Sequence, residues 1–369
     1  MTQKLARPRQ GVIFAMVLAA STASTFAAET TPSYDQIVAN AKEYLLSRGQ
    51  AADGSYSAQA GPAVTGLVVT SLLRNGRSPD DPAIAKSLKY VEDFVHDDGG
   101  IYAPDSKYQN YETCMAIMCF AEANRDGKYD KLLAGAEAFV KKLQWDADEG
   151  QDVASASYGG AGYGGHKRPD LSNTQFFLDA LKSLDRGPED EAVQKALVFV
   201  SRCQNLESEH NTFPFAAKVN DGGFYYTVAA GGTSQAGPTD DGGLRSYASM
   251  TYAGLKSMIY AGVQPDDPRV KAAVTWLQKN YDLQTNPGMG DAGLFYYYHT
   301  FAKSLDTYGE STFSDAAGKS HDWRAELVAE LAAKQKPDGS FINENARWME
   351  GDANLVTGYA LLALSYCKP

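Results

Sequence analysis

Gln50-Ala51-Ala52-Asp53-Gly54-Ser55-Tyr56 near the start of the chain and Gln335-Lys336-Pro337-Asp338-Gly339-Ser340-Phe341 near its end share one pattern: a glutamine, an Asp-Gly turn and an aromatic residue. Each follows a stretch with apolar residues at helical spacing and precedes another. The pattern therefore punctuates a repeated pair of helices. Looser copies lie between, at Asp98-Gly99-Gly100-Ile101, Asp221-Gly222-Gly223-Phe224 and Asp291-Ala292-Gly293-Leu294.

Outward from the first copy, Ile37, Ala41, Tyr44 and Leu45 predict a helix that ends at Gly49, and a second helix runs over about 62–74. Five further pairs follow: about 82–95 and 108–124, 130–144 and 170–185, 189–204 and 244–262, 267–281 and 294–308, 322–336 and 352–366. The first member of each pair is amphipathic and the second is apolar nearly all round. A helix apolar on every side must be buried, so the six hairpins predict an all-α fold, an (α/α)6 toroid with an inner ring sheathed by an outer one. The alternative is an open superhelix. Long glycine-containing insertions at about 147–169 and 206–243 are expected to close over the cavity as lids.

Lys4, Arg7 and Arg9 precede a short apolar run, Gly11 to Ala20, and small residues continue to Ala28. This reads as a signal peptide over residues 1–28, leaving one domain over 29–369 that is exported to the periplasm or beyond. The apolar run is too short to span a bilayer, and no later run is long enough. With 34 basic and 45 acidic residues the net charge is −11, and loss of the leader makes it more negative. That balance argues against nucleic acid or an anionic membrane surface as partner. Cys114, Cys119, Cys203 and Cys367 contain no Cys-x-x-Cys pair. They are expected as buried thiols, with disulfide pairing left open.

Aligning the apolar helices places Thr65, Thr113, Thr174, Thr251, Thr300 and Thr357 at matching positions. The residues just before them are Val64, Glu112, Asn173, Met250, His299 and Val356, so Glu112, Asn173 and His299 are expected as a polar arc on one level of an apolar ring. A carboxylate there must be paired or have a shifted pKa, and Glu112 with His299 across the cavity is a candidate acid/base pair. Asp240-Asp241 precedes an inner helix, either as a proton-sharing pair at the cavity mouth or as a turn and cap. Asp80-Asp81 and Asp266-Asp267 precede helices and are expected as caps.

With these motifs the chain resembles the prenyltransferase and squalene-cyclase repeat superfamily, whose signature is a glutamine, three residues, a glycine, one residue and an aromatic. The resemblance covers about 34–366, with Tyr56 and Phe341 where the family usually has tryptophan. It implies the toroid, a structural clasp for the motif, and a central cavity for an isoprenoid, with cyclase- or mutase-like isomerase or lyase chemistry if the chain is an enzyme. The Asp-x-Asp-Asp acid of triterpene cyclases is missing, as is the Asp-Asp-x-x-Asp diphosphate motif. Tyr298-His299-Thr300 resembles the histidine element of the protein prenyltransferase zinc site, but Arg245 and Tyr247 stand where its Asp and Cys should be. One surviving ligand does not hold zinc, so no metal and no other cofactor are expected.

Three functions remain open. A small apolar, isoprenoid-type ligand fits the resemblance, with Tyr247, Tyr252, Tyr296, Tyr297 and Tyr298 as aromatic faces and Asn173 beside them. A carbohydrate ligand fits export, abundant tyrosine and the rim carboxylates Glu112, Asp170 and Asp240 as acid and base. A non-catalytic scaffold would use its rim to bind another protein. A deep aromatic pocket, an open cleft with paired carboxylates and a cavity filled by side chains distinguish the three.

Overall fold

A computed structural model describes Met1, Thr2 and residues 32–164 and 167–369. The expected leader lies outside the described residues apart from its first two. The helices are α1 (Tyr34–Tyr44), α2 (Pro62–Arg74), α3 (Pro82–Glu92), α4 (Gln109–Ala123), α5 (Asp130–Lys142), α6 (Leu171–Ser183), α7 (Glu191–Arg202), α8 (Pro214–Val219), α9 (Ala248–Tyr260), α10 (Pro268–Lys279), α11 (Leu294–Tyr308), α12 (Trp323–Lys334) and α13 (Ala353–Ser365). Their starts follow local chemistry. Ser33 and Gln36 form a capping box on α1, proline opens α2, α3 and α10, and Asp190, Asp267, Asp322 and Asp352 accept N–H bonds at the starts of α7, α10, α12 and α13. Asp81 occupies the cap position of α3, but its carboxylate takes the Ser78 N–H and the Arg77 guanidinium instead.

Helices α2, α4, α6, α9, α11 and α13 are buried over most of their length, whereas the alternating helices bury one face only. Each inner helix packs on the next, and α13 packs back on α2, so the fold is a closed α/α toroid rather than an open superhelix.

The closure is built from one repeated contact. A glutamine after an outer helix donates through Nε2 to a carbonyl in the first turn of the next outer helix: Gln50 to Ala83, Gln144 to Ala192, Gln204 to Arg269 and Gln335 to Ile37, at 2.8–2.9 Å. Gly54, Gly159, Gly222 and Gly339 then cross the carbonyls of Lys86, Lys195, Ala272 and Asn40, each three residues beyond the clasped one. All four have positive φ, and a Cβ would lie under 3.0 Å from that carbonyl, so each position needs glycine twice over. Gly99 crosses Gly135 in the same way, with Val95 in place of the glutamine.

Two residues after each crossing glycine, a backbone N–H is held by an inner-helix threonine: Tyr56 by Thr65, Ile101 by Thr113, Ala161 by Thr174, Phe224 by Thr251 and Phe341 by Thr357, at 2.9–3.0 Å. The fifth hairpin differs from the sequence alignment. Thr300 bonds only within α11, while the Tyr298 hydroxyl reaches the Leu283 carbonyl in the loop after α10. Tyr298 thus takes the threonine's place, the register of α11 begins two residues earlier, and Asp291-to-Leu294 is the entry to α11 rather than a clasp.

All four cysteines are buried thiols. Among the described residues no helix is long and apolar enough to cross a membrane.

Candidate functional site

The starts of the inner helices converge on a tyrosine-rich mouth beneath the two insertions. Leu171 N–H donates to the Tyr226 carbonyl, Asn110 N–H to the Tyr163 carbonyl and the Thr227 hydroxyl to the Pro169 carbonyl, so both insertions are tied to the ring entrance. Part of the first insertion is instead held on the outer layer, where the Arg202 guanidinium donates to the carbonyls of Val153 and Ser155.

Asp170 is the acid of this mouth. It caps α6, accepting the Asn173 N–H at 2.9 Å and the Asn173 side-chain amide at 2.8 Å, and it is 1% exposed. Burial pushes its carboxyl up to about 6, against the Asn173 donors, the facing Tyr226 hydroxyl and the Arg168 charge. The Tyr163 hydroxyl faces Tyr226 and Asn173, and Asn173 Oδ1 is buried with no partner. An orphaned buried oxygen beside a protonatable carboxyl marks a place where a further donor belongs.

Tyr296 extends the cluster. Its hydroxyl lies 3.1 Å from Ser172 Oγ and its ring 5.9 Å from Phe176, which also meets Tyr111 at 5.4 Å. The Tyr111 and Tyr359 hydroxyls face each other, and Tyr247 sits buried at the cap position of α9. Burial pushes the hydroxyls of Tyr226, Tyr247, Tyr296 and Tyr359 well above the usual tyrosine range, so they serve as neutral donors. Glu350 Oε1 accepts the Tyr296 N–H at 2.8 Å and Oε2 the Asn343 amide at 2.6 Å, fixing the start of α11.

The rim is cationic and aromatic. Tyr108 and Trp348 are 48% and 44% exposed. Lys167 lies 5.7 Å from the rings of Tyr108 and Tyr163, Arg168 lies 5.6 Å from Tyr226, and Arg347 lies 4.1 Å from Trp348 while donating to Gln235 at 2.6 Å. Trp348 and Met349 both adopt left-handed φ, 55° and 65°, a strained conformation for large side chains.

Deeper along the axis lies a buried ion network. Asp179 on α6 accepts from Lys256 on α9 at 2.7 Å and pairs with Lys303 on α11 at 2.8 Å; Lys256 also donates to Gln175 at 2.6 Å. Burial alone would raise the Asp179 carboxyl, but the two ammonium groups outweigh it and hold it down. Burial depresses both lysines, and burial followed by Lys303 holds His299 well below the usual histidine range. A cavity between α2, α4, α6, α11 and α13 is lined by the polar Thr70, Arg74, His299 and Lys303 and by the apolar Leu67, Met115, Met118, Phe176 and Leu362, with about 10 Å³ of free volume. That is room for roughly one water molecule.

The structure therefore gathers Asp170, Asn173, Tyr247 and Tyr296 at the mouth and separates the other expected residues from them. Glu112 is buried with its carboxylate on the Ala103 N–H and the Ser106 hydroxyl, each at 2.6 Å, holding the loop before α4. Burial raises its pKa. His299 belongs to the axial network, so it shares no level with Glu112. Tyr252 packs on Tyr297 and Phe301, and Tyr298 bonds Leu283, both between the helix layers. Asp240 and Asp241 lie on an exposed turn where Asp241 accepts the Thr239 hydroxyl and the Gly243 N–H. Tyr163, Tyr226, Asp179, Lys256 and Lys303 were not singled out by the alignment. The last three are charges on largely apolar helices, each five residues after the aligned position once Tyr298 replaces Thr300.

No protein-family profile and no curated protein matches the chain. Solved structures do resemble it. A variant of the type II terpene cyclase MstE from Scytonema, with geranylgeranyl dihydroxybenzoate bound, superposes with a TM-score of 0.53 at 13% identity, over 90% of this chain and 97% of that one. A polysaccharide lyase gives 0.51 at 10% identity, over 91% and 97%. A glycosyl hydrolase of family 88 from Bacteroides vulgatus gives 0.51 at 10% identity, over 92% and 99%. These likenesses show the α/α toroid fold, which terpene cyclases share with carbohydrate-active enzymes.

Proposed function

We propose that the mouth binds an anionic glycan and that Asp170 serves it as general acid. Asp170 carries the proposal: a carboxyl that keeps its proton up to about pH 6 suits protonation of a departing glycosidic oxygen, and it is too weak an acid for a carbon–carbon double bond. Tyr163 and Tyr226 are neutral donors beside it. Exposed rings of Tyr108 and Trp348 offer faces to sugar rings, and Lys167, Arg168 and Arg347 give a local positive field on a chain of net charge −11. The fold likeness to a polysaccharide lyase and a glycosyl hydrolase supports the ligand class. Export through the leader expected at residues 1–28 would bring the protein to such polymers.

The test is incubation with uronic-acid polysaccharides and neutral glucans, following binding by calorimetry and cleavage by new reducing ends or ultraviolet absorbance of unsaturated ends. Asp170→Asn should still bind the acidic polymer and lose cleavage. No heat and no product with any acidic polymer would sink the proposal.

The second reading is an apolar isoprenoid in the axial cavity. It is favoured by the wall of Leu67, Met115, Met118, Phe176 and Leu362 and by the likeness to the terpene cyclase, and it requires that wall to open well beyond 10 Å³. Saturable binding of squalene, strengthened by Phe176→Ala, would support it over the glycan.

A further inference from the structure

We propose that the axial cavity is a binding site for a small monovalent anion of halide size, independent of any ligand at the mouth. The argument starts from charge. Arg74, Lys256 and Lys303 reach the axis from α2, α9 and α11, while Glu122 from α4 and Asp179 from α6 answer them. His299 on α11 is kept neutral and Tyr366, next to α13, contributes only a hydroxyl. Three cations face two carboxylates, and Lys256 and Asp179 are fully buried. An unpaired charge in such surroundings is resolved by losing a proton or by gaining a counter-ion.

The free space lies where the counter-ion is needed. Lys303, Arg74, His299 and Thr70 line it. Arg74 spends Nε on Glu122 at 3.0 Å and Nη1 on the Tyr366 hydroxyl, so Nη2 has no protein partner among the described residues. The Lys303 ammonium, with three N–H groups, gives a contact to Asp179. His299 Nδ1 is unpartnered in a side chain only 5% exposed. The Arg74 guanidinium and the Lys303 ammonium thus border about 10 Å³ of space, room for one water-sized particle, while the Thr70 hydroxyl is spent on the Gly66 carbonyl.

The apolar part of the lining selects among anions. Leu67, Met115, Met118, Phe176 and Leu362 offer no hydrogen bonds. A phosphate or sulfate needs donors on all sides and more volume, whereas a halide tolerates apolar contact on one side. Bound there, it would keep Lys256 and Lys303 protonated, so halide uptake and proton uptake are coupled.

The probe is sodium bromide, exchanged against sodium gluconate at constant ionic strength. In the wild-type chain Tm should rise by roughly 3–6 °C at bromide a hundredfold above its dissociation constant. Lys303→Met, which leaves the Asp179–Lys256 pair in place, should abolish the rise. Crystals of the wild-type chain grown in bromide should show an anomalous peak between Lys303 and Arg74. An equal bromide response in wild type and Lys303→Met overturns the proposal. So does a bromide crystal with only water at the site, which also decides the matter if the variant does not fold.

Discussion

The side-chain amide of Gln335 donates to the backbone carbonyl of Ile37 at 2.9 Å although 298 positions separate them in the chain. The same bond joins Gln50 to Ala83, Gln144 to Ala192 and Gln204 to Arg269, each between one hairpin and the next. The contact that closes the ring is thus the one repeated at three other joints, and the Ser57 hydroxyl adds a 2.8 Å bond to Asp352 across the seam.

If the seam is equivalent to the other joints, Gln335→Leu and Gln144→Leu should destabilise by similar amounts, about 0.5–1.5 kcal/mol each, because each removes one clasp bond from a carbonyl that still serves its own helix. Urea unfolding measures both. Hydrogen exchange should quicken in α1 for Gln335→Leu and in α7 for Gln144→Leu. A seam substitution without effect would mean that α13 and α2 hold the ring shut on their own.

Two glycines separate backbone strain from steric crossing. Gly237 has φ 81° and nothing within 4 Å of a built Cβ, whereas Gly159 has φ 80° and meets the Lys195 carbonyl. Gly237→Ala should cost only the left-handed penalty, about 1–2 kcal/mol. Gly159→Ala should cost more by at least about 2 kcal/mol, because α7 must move away. Equal melting temperatures would refute the crossing.

Most of the ring was legible from the chain because its signals are local. Gln50, Gly54 and Thr65 sit in one short window, and so do Gln335, Gly339 and Thr357; helical spacing supplies the rest. The third hairpin is harder to read, since Gln144 and Gly159 are separated by an insertion that the clasp ignores. Thr300 imitates the repeat by composition while Tyr298, a longer side chain, does the work of the threonine. At the mouth, Asp170 and Asn173 stand out as polar residues opening an apolar helix, but Tyr226 arrives from a distant insertion and no spacing rule predicts it. Asp179, Lys256 and Lys303 are each conspicuous alone; their meeting requires three helices at known rotation.

Asp170 should store instability that rises with pH. Its folded pKa of about 6 lies above the unfolded value near 3.8, so the folded state keeps a proton that the unfolded state has lost. The favourable contribution is complete below pH 4 and disappears as pH rises through 6, about 3 kcal/mol in all. Asp170→Asn keeps an acceptor for the α6 cap and removes the titration. Its stability relative to wild type should therefore grow between pH 4 and 7. A constant difference across that range, by guanidinium unfolding, would place the titration elsewhere.

The axial network makes the opposite pH signature available. Asp179→Asn leaves Lys256 and Lys303 without the carboxylate that both touch, and breaking a buried ion pair on one side costs about 3–5 kcal/mol near neutral pH. Burial already holds both ammonium groups below the usual lysine range, and loss of the carboxylate lowers them further. In the variant the folded lysines then release protons that the unfolded chain still holds. The variant's stability therefore rises with pH, and wild type gains in the same way once its own lysines lose their protons, about pH 7 for Lys256. The deficit should shrink only across the interval in which the wild type still holds protons that the variant has lost, up to about pH 7 for Lys256 and beyond it for Lys303 alone. Adding Lys256→Met to Asp179→Asn should recover part of the loss at pH 7, because it removes one of the stranded charges. A deficit that is flat in pH and unrelieved by Lys256→Met would show that Asp179 acts through packing on α6 rather than through the charges it joins.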